Sequence, residues 1–123
     1  MTDSLRPVTE ECRQSLLTIH KEVGVGYTTN IYREMLFIEL ADRGLSYQAE
    51  ASITPTYDGQ RLARSPVTSV LVENRVLIEV TALNDKVSAA DVRVVQTYLK
   101  FTPAEVGLIG CFSRKLLQIQ GVR

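Results

Sequence analysis

Apolar residues recur along the chain with two different periods, and the change from one to the other divides it. Up to about residue 44 they fall at helical spacing. Thr9, Glu10 and Glu11 precede Leu16, Leu17, Ile19, His20 and Val23, so a capped amphipathic helix is expected from Thr9 until Gly24 and Gly26 stop it. Thr28 or Thr29 caps a second helix, which carries Ile31, Met35, Leu36, Ile38, Leu40 and Ala41 and ends at Gly44. It is expected to be the better packed of the two.

From Leu45 onward the period falls to two. Tyr47, Ala49, Ala51 and Ile53 alternate with polar residues as in a half-buried strand, and Pro55 marks a break or an edge. Asp58-Gly59 signals a hairpin turn. The returning strand culminates in Val67 to Val72, and Glu73-Asn74 turns the chain into VLIEVTAL, Val76 to Leu83. After Asn84-Asp85-Lys86, Ser88 caps a third helix holding Val92, Val95 and Leu99, which Thr102-Pro103 terminates. VGLIGCF, Val106 to Phe112, reads as a continuous buried strand and KLLQIQGV as a final alternating one. The order ααβββαββ, without repeats, linkers or low-complexity stretches, predicts an α/β fold with a mixed central sheet flanked by helices.

Size and charge narrow the function classes. A chain of 123 residues is expected to form a single domain. Fourteen basic and fourteen acidic residues cancel, leaving no global field to hold a phosphate backbone, which argues against nucleic acid without excluding it. Cys12 and Cys111 lie far apart with no CxxC or CxxH spacing, and are expected as buried thiols in a reducing compartment. The N-terminus lacks a basic-then-apolar signal, and no stretch approaches the roughly 20 apolar residues of a membrane span. A cytoplasmic protein without a membrane partner is expected.

One residue resists this description. Glu79 stands in the middle of VLIEVTAL, and an ionised side chain among aliphatic neighbours is costly unless something pairs with it or binds it. Alternation puts Ile78 and Val80 on one face of the strand and Glu79 with Thr81 on the other. Other candidates have ordinary explanations. The lone His20 has no carboxylate or Cys at metal spacing, and no Cys-His or Ser-His-Asp arrangement is available. Arg61, Arg64 and Lys86 are scattered cations of a solvated surface, and Gly24-Val-Gly26 is too little for a phosphate loop. Tyr47, Tyr57 and Tyr98 are expected as core and sheet residues.

The stretches Gly24-Val-Gly-Tyr-Thr-Thr-Asn-Ile-Tyr32 with Leu36 and Glu39-Leu40, Gly44-Leu45, Tyr57-Asp-Gly59, Leu71-Val-Glu-Asn74, Val76 to Ala82, Tyr98-Leu-Lys100, and Gly107-Leu108 with Phe112 carry a resemblance. Over roughly residues 10–122 the chain resembles the small bacterial GxxExxY proteins of the PD-(D/E)XK nuclease-like superfamily. The resemblance implies a restriction-endonuclease-like core. It also implies a site in which a helix Glu, a strand Asp and the acid of a (D/E)xK pair hold a divalent cation while the Lys positions water or stabilises phosphate charge. Position by position, this chain departs from that site. The GxxExxY pattern falls on Gly26 to Tyr32, with Thr29 where Glu is expected. The strand Asp falls on Ser69, or on Thr68 if the hairpin shifts by one, and no acid lies between Asp58 and Glu73. The (D/E)xK pair falls on Glu79 and Thr81, and the Gln often found on the next helix falls on Val94. Only Glu79 has the expected chemistry.

The expectation is therefore a catalytically silent relative acting as a binding or assembly module, a homodimer formed through an exposed strand or helix face, with no cofactor. A first alternative is a divergent Mg2+-dependent nuclease that draws a second ligand from Glu50 or Asp85. A second is a small-molecule site at Thr29, Ser69, Glu79 and Thr81, which the packing of the second helix would have to complete. In the leading view Glu79 is satisfied by Thr81, Ser69 or a backbone amide.

Overall fold

The structure is a computed structural model that describes residues 5–82, 85–113 and 116–123. The expected strand end at Leu83, the turn residue Asn84 and the strand start at Lys115 lie outside these residues. Two helices come first, α1 (Leu5–Val23) and α2 (Thr29–Asp42). α1 begins before Thr9, because Pro7 fits a first helical turn, where its missing N–H forfeits no bond. The Thr9 hydroxyl, expected as the cap, instead donates to the Leu5 carbonyl at 2.8 Å. Gly24 and Gly26, at φ +70° and +116°, turn the chain into α2, a left-handed backbone that a side chain would resist. Thr28 holds the N-cap position with an extended backbone but makes no side-chain cap bond.

The expected alternating strand from Tyr47 to Ile53 is broken in two. Only β1 (Tyr47–Gln48) pairs with the main sheet. The chain then leaves as a ribbon in which β2 (Ser52–Ile53) pairs with β5 (Ser65–Pro66), and β3 (Thr56–Tyr57) pairs with β4 (Gln60–Arg61). Asp58 and Gly59 close the ribbon with φ 53° and 74°, the two positive angles that a tight two-residue hairpin demands. β6 (Val70–Val72) returns to the sheet and Glu73 and Asn74, both at φ 55°, turn it into β7 (Val76–Thr81). α3 (Ala89–Leu99) follows, capped by Ser88 and Asp91 in reciprocal side-chain to backbone bonds. β8 (Val106–Phe112) and β9 (Leu117–Val122) complete the chain.

The five-stranded sheet runs β1-β6-β7-β8-β9, with β7 and β8 parallel across the α3 crossover and every other pair antiparallel. This is the mixed, helix-flanked α/β sheet that the hydrophobic periods predict. Its two faces are covered differently. Leu16, Ile19, Tyr32, Leu36 and Leu40 of α1 and α2 meet Val70, Val72, Ile78, Val80 and Leu108. On the other side Val95 of α3 meets Leu71, Leu77, Ile109 and Val122, joined by Ala51 at the root of the ribbon. α2 is not the better packed helix: Ile31 and Ile38 face outward, Ile38 at 61% exposure. Both cysteines are buried. Among the described residues no helix is long and apolar enough to cross a membrane.

Candidate polar site around Glu79

β7 alternates as its sequence requires, with Val76, Ile78 and Val80 in the α1/α2 core and Leu77 in the α3 core. Glu79 therefore points to the α3 side, where it is half-buried. Its register partner across the parallel pair is Ile109, which offers no side-chain polar group. The donors come from the chain re-entering the sheet after the ribbon. Ser69, fully buried, donates its hydroxyl to Glu79 Oε1. Thr68 donates to the same carboxylate, 3.2 Å from Oε2 and 3.5 Å from Oε1.

This hydroxyl–carboxylate cluster also fixes the ribbon. The Ala51 N–H donates to the Ser69 carbonyl at 2.9 Å, and the Val67 N–H to the Ala51 carbonyl at 2.8 Å. Val67 and Ser69 thus hold the outgoing strand by backbone, and Thr68 and Ser69 hold β7 by side chain. Tyr98 of α3 lies within reach of the same charge. Burial first, and the Glu79 carboxylate second, push its phenol above the ordinary tyrosine value.

The other expected members stand apart. Thr29 lies in the first turn of α2, a helix packed on the opposite face of the sheet, and no hydrogen bond joins it to Glu79 among the described residues. Thr81 shares the Glu79 face by alternation, half-buried, in register with Cys111. Glu50 is exposed on the bend between β1 and β2, and Asp85 is exposed before α3. No group of three or more His, Cys, Asp or Glu side chains is placed to share a metal among the described residues. A lone carboxylate that already accepts two hydroxyl hydrogens, beside neutral Ser69 and Thr81, is a poor fit for Mg2+, whose usual sites combine carboxylates with substrate phosphates.

The Gly26 to Tyr32 stretch has a structural use. The Tyr32 hydroxyl donates to the Gly24 carbonyl at 2.8 Å and accepts the Tyr27 N–H at 3.3 Å, clasping the α1–α2 turn. Its ring stacks on Phe112 with centroids 4.0 Å apart. The positions that shape the backbone are filled as the pattern asks, and the one that would bring charge is Thr29.

Two features escaped the sequence. The sequence offers Thr68 only as an alternative register for Ser69, yet both hydroxyls reach Glu79. Tyr57, expected in the core or sheet, lies on the ribbon at 76% exposure. Its neighbours Arg61, Gln60 and Asp58 are the polar context that could have signalled an exposed strand.

A family model described as the PD-(D/E)XK nuclease superfamily matches residues 6–122. A solved structure titled "Crystal structure of SSO0001" is similar at 14% identity and a TM-score of 0.59. The match covers 77% of this chain and 50% of that one, so this chain spans about half its length, and the likeness is one of fold. No protein of curated function matches.

Proposed function

Because the chain belongs to the PD-(D/E)XK nuclease superfamily while its one motif carboxylate is engaged by hydroxyls, we propose that it is a catalytically silent member acting as an assembly module, and that it works as a homodimer. Within the superfamily we place it beside the GxxExxY proteins. The observation that carries this reading is the Glu79 carboxylate accepting Ser69 and Thr68. A nuclease of this type needs that carboxylate turned toward a cation and a second acidic ligand beside it. Here Glu79 instead ties β7 to the root of the ribbon. Ser69 and Thr81 lack the charge to replace an Asp ligand or a Lys.

The test is a titration of the full chain with Mg2+ and Mn2+, read by melting temperature and by cleavage of labelled single- and double-stranded DNA. Neither ion is expected to raise the melting temperature, and no cleavage is expected. Metal-dependent stabilisation together with cleavage, both lost in Glu79→Ala, would overturn catalytic silence and turn attention to Glu50 and Asp85 as further ligands.

A further inference from the structure

Equal numbers of basic and acidic residues conceal an uneven distribution. Arg93, Gln96 and Thr97 of α3 and its C-cap Lys100 recur at helical spacing and are all exposed, so they share one outer face. With Leu99 and with Arg123, which follows β9, they line a recess of about 410 Å³. The Gln96 side-chain amide donates to the Arg123 main-chain oxygen at 3.4 Å, tying the helix to the end of the sheet. The lining holds three cations and no acid. Arg93, Lys100 and Arg123 have no ion pair among the described residues.

Arg123 also borders a second recess, of about 710 Å³, where the starts of α1 and β8 meet. Arg6 and Arg13 line it as well, together with two acids, Glu10 and Glu105. Both acids are already engaged. Glu105 accepts Nε and Nη2 of Arg75 at 3.0 and 2.9 Å, and Glu10 accepts the Gln14 amide at 2.9 Å and lies 4.0 Å from Arg13. Arg6 has no ion pair among the described residues. Five of the fourteen basic residues thus border two recesses that share Arg123, against two of the fourteen acids. Glu79, Ser69 and Thr68 line neither.

We propose that the two recesses form one binding site for an oligophosphate, a ligand carrying several consecutive phosphate groups, with Arg123 as the contact they share. The excess of cations asks for an anion. Four of the five are arginines, whose planar forks match phosphate oxygens in pairs and stay charged at any ordinary pH. No aromatic ring lines either recess, so nothing there stacks on a base as single-stranded nucleic-acid binders do. Both volumes fall within the roughly 300–1,000 Å³ of small-ligand pockets. A single phosphate engages one recess, whereas a chain of phosphates can use the cations of both. The site is independent of the catalytic silence proposed above: no bond is broken in it, and Glu79 takes no part.

Calorimetric titration of the full chain with sodium tripolyphosphate, in dilute buffer and again at about 0.15 M salt, tests this. Tripolyphosphate is expected to bind one to one, more tightly than inorganic phosphate, and more weakly as salt rises. Arg123→Gln, Lys100→Gln and Arg6→Gln, all at exposed positions, are each expected to keep the wild-type circular dichroism and to weaken binding about tenfold or more, as loss of a charged hydrogen bond does. Arg61→Gln removes the same charge from the ribbon and is expected to leave the affinity unchanged. Equal weakening by Arg61→Gln would reduce the binding to general surface charge and overturn the site, as would no binding at all or inorganic phosphate binding as tightly. An effect of Lys100→Gln without one of Arg6→Gln would overturn the joining of the two recesses. A short DNA duplex that binds where tripolyphosphate does not would overturn the oligophosphate in favour of a nucleic-acid backbone.

Discussion

A carboxylate between Ile78 and Val80 must find donors or stay in water, and Glu79 finds its donors in Ser69 and Thr68. Removing the acceptor strands the Ser69 hydroxyl, which has no access to solvent. Glu79→Ala is therefore expected to cost about 1–3 kcal/mol, the usual penalty for a buried group left unpaired. Ser69→Ala should cost about 1 kcal/mol, since Thr68 and water still serve the carboxylate. The double variant should cost less than the sum, because both ends of one bond are gone; urea midpoints at constant slope measure all three. The same carboxylate has a spectroscopic reporter. Glu79→Gln removes the charge that helps hold the Tyr98 phenol high, so an ultraviolet pH titration should show Tyr98 ionising at lower pH in that variant. Cys12 gives the pH dependence. Burial first, then the charges of Glu11 and Glu73, push its thiol from 9.0 to about 12. Below pH 9 folded and unfolded chains both keep the proton, and stability is unaffected. As the pH rises toward 12 the unfolded chain ionises first, binds fewer protons, and draws the equilibrium to itself. A loss on the order of 4 kcal/mol is expected across that window, and Cys12→Ala should flatten this part of the stability profile while lowering it overall through the cavity it leaves.

At the scale of elements, the readable parts were those in which a local rule met no competitor. Ser88 caps α3, Asp58-Gly59 closes a hairpin, and the apolar run from Val106 to Phe112 is buried along its whole length. α1 starts earlier than the sequence suggests because Thr9 is a good cap and Pro7 masks the preceding turn. The strand at Tyr47 departs from its expected course because alternation shows that a segment is extended, not which sheet it joins. Ala49 and Glu50 bend the chain out of the main sheet, and the ribbon continues the alternation outside it. The close approach of α3 to β8 is likewise invisible in a periodicity. A Cβ placed on Gly107 would lie 2.6 Å from Val95 Cγ1, so the glycine sets the height at which α3 rides on the sheet. Gly107→Ala is expected to destabilise by about 1–3 kcal/mol, as overpacking does. Val95→Ala made in the same chain should recover part of that loss, a non-additivity read from thermal midpoints of the four variants.

For the molecule as a whole, the fold and the candidate site differ in how far the sequence exposes them. The sheet follows from hydrophobic periods that every core residue repeats. The site depends on a few side chains and on which elements meet. Alternation put Glu79 on the face away from Ile78, and register brought Ser69 to it, but Thr29 could not be placed without knowing that α2 covers the opposite face. The ribbon is the extreme case: its residues read as ordinary strand and turn, and only the assembled chain shows that they touch little of their own body. That separation allows a direct test of how little the ribbon contributes to the fold. Ile53 and Ser65 are register partners, so residues 54–64 can be replaced by Asn-Gly, which closes a two-residue hairpin on that pair. The shortened chain keeps Ala51, Thr68, Ser69 and Glu79, so its unfolding free energy should stay within about 0.5 kcal/mol of the full chain, as for changes at exposed positions. Its denaturant slope should barely fall, because the ribbon buries little surface on folding. Equilibrium unfolding in urea of the two chains side by side measures both, and a large drop in stability would mean that the ribbon braces the sheet after all.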